Sequence, residues 1–253
     1  MWPKVLGTQA DFGQRWRRGA GHQRRLVAGL ALLLGVLILW LALPRVFASA
    51  LLALRDPVIE RMVAGERVSD AELLGLMASR ELALSWVEDR DTHNERGTAL
   101  TSLAMAAERV PETATLERAV AAIRAGLALA PADPGDWMQL GYLLVLLEGD
   151  TNREAAAALL LSVRTGPFQA PGLLGRRLFW CLAHWTFYDE DGQRQIGAQI
   201  RLAWRVAPGA LADLALHDPD FFAAIASALE QVPQARDQLI AAIAFATPLS
   251  AGR

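Results

Sequence analysis

Residues 26–44, LVAGLALLLGVLILWLALP, contain no charged or strongly polar side chain. A soluble helix needs a polar face, and this stretch has none. At helical rise, roughly 18 residues cover about 27 Å, close to the hydrocarbon thickness of a bilayer. The stretch therefore reads as a transmembrane helix, with Trp40 suited to the far interface and Pro44 and Arg45 expected to end it. Lys4, Arg15, Arg17, Arg18, Arg24 and Arg25 precede it against the single acid Asp11. Arg45, Arg55, Arg61 and Arg67 follow it, the last three mixed with Asp56, Glu60 and Glu66. The denser basic cluster predicts a cytoplasmic N-terminus and a body on the other side. Lys4 is the only lysine and Ala is abundant, a skew that suggests a GC-rich bacterial genome. The expected location is then the bacterial inner membrane, single-pass, with the C-terminal domain in the periplasm.

Ala48-Ser49-Ala50 has the small-x-small form of a signal-peptidase site. The apolar run exceeds the usual h-region of about 7 to 15 residues, and Arg45 intrudes before the site, so an uncleaved anchor is expected. Gly29 and Gly35 are six apart and lack the spacing of a helix-pairing motif, which leaves a plain anchor. The basic head, with Trp2, Phe12 and Trp16, raises the question of nucleic acid. Its place beside a membrane span makes anionic lipid the simpler partner.

The remainder is expected to be globular. Charged residues make up 21% of the chain and the mean hydropathy is +0.22, which excludes a disordered charged tail. One apolar span excludes a polytopic transporter. From Leu51 onward apolar residues recur at three and four rather than two, and alternating β-branched runs are absent, so the reading is all-α. Ser69-Asp70-Ala71-Glu72 is a capping-box pattern that opens a helix to about Val87. Glu88 to Asn94 reads as a polar connection, and the next helix runs from about Glu95 to Val110. Helices are expected from Thr115 to Pro131 and from Trp137 to Glu148, with a second capping box at Thr151-Asn152-Arg153-Glu154. Leu173 to Tyr188 reads as one long aromatic helix, Gln193 to Val206 as the next, and Pro233 as the start of the last. Short joints between them describe helical hairpins. The expected organisation is a basic cytoplasmic segment (1–25), the span (26–44), a juxtamembrane helical linker (45–68) and a periplasmic helical-repeat domain (69–253).

Ala119, Ile123, Gly126 and Pro131, followed by Trp137, Leu140 and Gly141, resemble a tetratricopeptide repeat boundary. The resemblance covers about 60 residues and implies an α-solenoid of TPR-like hairpins, with Trp137 filling the gap between neighbours. Leu144 stands where that family has Tyr, and Gly126 where it has Ala. A further segment, Arg177-Leu178-x-x-Cys181-x-x-x-Trp185 with Ile200-Arg201-x-Ala203-Trp204, resembles membrane-anchored repeat proteins of bacterial exopolysaccharide and O-antigen synthesis and export. That resemblance implies a non-catalytic scaffold in cell-surface polysaccharide assembly.

The residues themselves offer little catalytic chemistry. Cys181-x-x-His184 puts two metal-capable side chains on one helical face, but no partner pair at useful spacing exists. The acids at Glu88-Asp89-Asp91, Asp189-Glu190-Asp191 and Asp213-Asp218-Asp220 lack a calcium-loop pattern and read as helix caps and solvated faces. No phosphate loop or dinucleotide fingerprint is present. The expectation is no enzyme, no metal, no cofactor, no nucleic acid and no small-molecule substrate. The aromatic run Phe179, Trp180, Trp185, Phe187 and Tyr188 is denser than a plain repeat requires. Arg176, Arg177, Trp180 and Trp185 are therefore the expected partner-binding anchors on a concave face, the arginines pairing with acidic groups of a partner protein or sugar. Other readings are a chaperone-like or cytochrome-maturation factor with anchored repeats, and a helical lyase with its site in the aromatic groove.

Overall fold

The computed structural model describes residues 9–54, 56–106, 112–167 and 171–250, and every regular element among them is helical. Lys4 of the basic head lies outside the described residues. The first helix, α1, runs unbroken over Gln9–Ala53 and carries the apolar stretch exposed from Leu26 to Leu43. Residues Leu26–Ala53 are long and apolar enough to cross a membrane. The expected boundaries at 25 and 44 thus fall inside one helix. Pro44 does not end it: the lost hydrogen bond and the clash of its ring with the carbonyl one turn back cost stability, and packing of the following turns outweighs that cost. The Arg45 guanidinium donates to the Leu41 carbonyl at 3.4 Å beside the proline. The turns that follow are held by packing on α3.

The rest is a chain of short helices, each opened by local chemistry. After α2 (Asp56–Val63), α3 (Asp70–Leu84) begins at the expected capping box. The Ser69 amide donates to Glu72 Oε2 at 3.0 Å and the Glu72 amide to Ser69 Oγ at 3.4 Å. The next helix, α4, spans Arg90–Ala106, earlier than expected. Asp89 accepts from the Thr92 amide at 2.9 Å, so part of the acidic string starts the helix instead of joining two. Then come α5 (Thr113–Leu129), α6 (Pro134–Glu148) and α7 (Arg153–Thr165). Asn152, not Thr151, caps α7 by accepting from the Glu154 and Ala155 amides. The long aromatic helix is two elements: α8 (Pro171–Ala183), then a 3-10 turn at Trp185–Phe187. Between them the His184 ring turns back to the Trp180 carbonyl at 2.9 Å. The chain ends in α9 (Glu190–Val206), α10 (Pro208–His217), α11 (Pro219–Leu229) and α12 (Ala235–Ser250). Pro233 lies before α12, separated from it by Gln234, whose φ is 61°.

Helices α4 and α5, and α6 and α7, pair as antiparallel hairpins, and their tightest contacts repeat. A Cβ on Gly97 of α4 would lie 2.5 Å from Ile123 of α5, and one on Gly141 of α6 would lie 2.7 Å from Leu159 of α7. Glycine is what lets each pair close. The second helices share a spacing of i, i+4, i+7 and i+12: Ala119, Ile123, Gly126, Pro131; Ala155, Leu159, Ser162, Pro167; Ile196, Ile200, Ala203, Pro208. The first three members of each set are buried. Polar bonds join hairpin to hairpin. Arg90 Nε donates to Asp136 at 2.9 Å and Gln139 to Thr98 at 3.0 Å, which sets α4 beside α6 in the same direction. Arg164 of α7 donates to Gln195 of α9 at 3.0 Å. One apolar cluster fills α3 to α7 and a second fills α7 to α12, and Trp180 packs against both.

Candidate functional site

The residues quoted for the repeat boundary divide between core and joint. Ala119, Ile123, Leu140 and Gly141 are buried in the α4–α7 hairpins. Pro131 is exposed in the α5–α6 turn. Trp137 is only half-buried against the first cluster, and its indole N–H donates to the Pro131 carbonyl at 2.8 Å. It braces a turn more than it fills a gap.

The four expected anchors do not form one surface. Arg177 is fully buried. Its guanidinium donates to the Ser162 carbonyl at 2.9 Å, to the Gly166 carbonyl at 2.8 Å and to Gln199 Oε1. Those carbonyls end α7, where outward-facing acceptors and the helix dipole favour a cation. Burial pushes the guanidinium pKa down, and the neighbouring Cys181 opposes that shift. Arg177 is thus a buried helix-end clamp and not a partner contact, since packing of α7, α8 and α9 encloses it. Arg176 is exposed and points elsewhere, onto a cavity of about 510 Å³ shared with Ile59, Met62, Glu95 and Thr98. Burial raises the Glu95 carboxyl pKa there, although Arg80 Nε donates to it at 2.6 Å.

Trp180 and Trp185 do come together, on an open cavity of about 920 Å³ between the end of α8, the 3-10 turn and α11. Its floor is aromatic. The Phe179 ring meets Trp180 edge-on with centroids 5.0 Å apart, His217 at 5.2 Å and Phe221 at 5.7 Å. Trp180 leans in turn on Tyr142 of α6 at 5.4 Å. The rim is acidic: Asp150 from the α6–α7 turn, Asp218 and Asp220 from the start of α11. Asp218 also caps α11, accepting from the Asp220 amide at 2.7 Å. Among the described residues no lysine or arginine lines this cavity. The groove therefore presents carboxylates where arginines were expected.

Phe179 stood out in the sequence as part of the dense aromatic run, and the Asp218 cluster only as helix caps and solvated faces. Asp150 carried no signal, because only the fold brings the α6–α7 turn to the start of α11. Cys181 and His184 are both buried, and burial pushes the Cys181 thiol up to about 12. Among the described residues no group of three or more His, Cys, Asp or Glu is placed to hold a metal ion. Compared with protein-family models, with curated proteins and with solved structures, the chain matches none.

Proposed function

We propose that this protein is a membrane-anchored scaffold whose stacked helical hairpins form a short TPR-like solenoid and hold a partner protein in the aromatic groove. The single observation that carries the reading is the groove itself: clustered rings with a rim of Asp150, Asp218 and Asp220 and, among the described residues, no lysine or arginine in the lining. Carboxylates over aromatic rings favour an incoming cation, through both charge pairing and the ring quadrupoles. The partner segment is accordingly one that presents Arg or Lys side chains. The repeated spacing on α5, α7 and α9 and the same-direction stacking of α4 on α6 support the solenoid. The basic residues before the span support a cytoplasmic N-terminus and a periplasmic hairpin array. The likeness of residues 177–185 and 200–204 to envelope polysaccharide repeat proteins supports a partner in that machinery. An acidic polymer itself does not suit this rim.

The test uses the full chain in phosphatidylcholine nanodiscs and a fluorescein-labelled peptide of alternating arginine and glycine, read by anisotropy. Asp150→Asn, Asp218→Asn and Asp220→Asn together remove the charge, while Asn keeps the α11 cap. Three exposed pairs at about 0.2–1 kcal/mol each predict binding weakened about tenfold. Equal affinity for the two proteins, or equal binding of a glutamate-glycine peptide, would end the proposal.

A further inference from the structure

The distance between the membrane span and the hairpin array is set by α1. Residues 26–44 account for about 28 Å of helix, the hydrocarbon thickness, so Pro44 and Arg45 mark its far edge. Phe47 follows three residues on, about 4.5 Å higher at helical rise. The headgroup layer is about 5–7 Å deep on each side. Phe47 thus lies within it, and there it stacks on Trp86 with ring centroids 5.4 Å apart. Higher on α1, Ala48 is buried and the Leu52 carbonyl accepts from Arg80 Nη1 at 2.9 Å. Arg80 is itself buried and also donates to Asp56 at 3.3 Å and Glu95 at 2.6 Å.

These two contacts give α3 a direction. Trp86 pairs with Phe47 and Arg80 with Leu52, so α3 lies antiparallel to α1 and its C-terminal end points down toward the bilayer. Leu82 lies in the last turn of α3 and Trp86 in the turn that follows it, each about half exposed, and Val46, next to Phe47 on α1, is exposed as well. An indole beside aliphatic side chains is the composition of a membrane interface. The charges in the following turn are already engaged: Asp89 with Thr92, Glu88 with His93, and Arg90 with Asp136.

We infer that the C-terminal end of α3 rests on the lipid headgroup layer, with Trp86 inserted and Leu82 just above its outer edge, so that the hairpin array is clamped against the membrane and not held off it by a linker. The contact is apolar and needs no anionic lipid. It rests on the reading of residues 26–44 as a span.

Helix α3 serves as its own ruler. Ala71, Ala78 and Leu82 are exposed and share one stripe at helical spacing. Each is replaced singly by Cys and labelled with an NBD maleimide, buried Cys181 being left in place. The full chain is reconstituted in phosphatidylcholine vesicles, with and without phosphatidylglycerol, containing lipid spin-labelled near the headgroup. The expected result is a gradient: quenching at Leu82→Cys at least three-fold that at Ala71→Cys, Ala78→Cys between them, in both lipid mixtures. A flat profile on a chain that resists alkaline carbonate overturns the inference while leaving the anchor intact. Release of the chain by carbonate overturns both.

Discussion

Arg177→Ala reverses what a helix-start arginine suggests. An exposed arginine at that place would cost nothing to remove. Here the guanidinium is buried and donates to two carbonyls and one amide oxygen. Ser162 O keeps a second donor, the Gly166 amide at 3.3 Å, so it is not stranded by the change. Gly166 O and Gln199 Oε1 are left in the interior, at about 1–3 kcal/mol each. Releasing a desolvated cation offsets part of that, and lost stem packing adds to it. The net expectation is a loss of about 3–4 kcal/mol, or roughly 10 °C in Tm for a domain of this size. Thermal unfolding followed by circular dichroism, on the full chain in detergent, reads it directly. Arg177→Met fills most of the volume without the donors and should lose nearly as much, which separates hydrogen bonding from cavity formation. Arg176→Ala, at an exposed site, should shift stability by less than about 0.5 kcal/mol. A Tm change under about 2 °C for Arg177→Ala, or wild-type stability for Arg177→Met, would refute the clamp.

Two further outcomes follow from packing. Gly141→Ala should destabilise by about 1–2 kcal/mol despite alanine's higher helix propensity, because its Cβ would sit 2.7 Å from Leu159 and 3.2 Å from the Ala155 carbonyl. Gly175→Ala meets nothing within 4 Å and should stabilise by up to about 1 kcal/mol; urea midpoints moving in the same direction for both would break the argument. Cys181, buried and with its thiol pushed up to about 12, should resist Ellman's reagent at pH 8 until urea unfolds the chain; reaction at a free-thiol rate in native buffer contradicts this. Its folded pKa lies above the ordinary thiol value of about 9, so its contribution to stability is whole below about pH 9 and declines as pH rises toward about 12.

The apolar run from Leu26, the capping box at Ser69, the Asp218 cap and the all-helical body were legible in the sequence because each depends on neighbours within one turn. Helical period, caps and a charge-free stretch are local statements, and the fold leaves them in place. The site was not legible in that way. Arg177 and Arg176 are adjacent, yet one is enclosed by α7, α8 and α9 while the other faces a separate cavity toward α2 and α4. Pro44 was read as a stop because proline disfavours helix, but α1 continues since residues 47 to 52 are gripped by Trp86 and Arg80. Asp150 joins Asp218 and Asp220 only because the fold brings the α6–α7 turn and the start of α11 to one cavity. Which side of a helix is covered, and by whom, depends on contacts between elements far apart in the chain, and those belong to the tertiary structure alone.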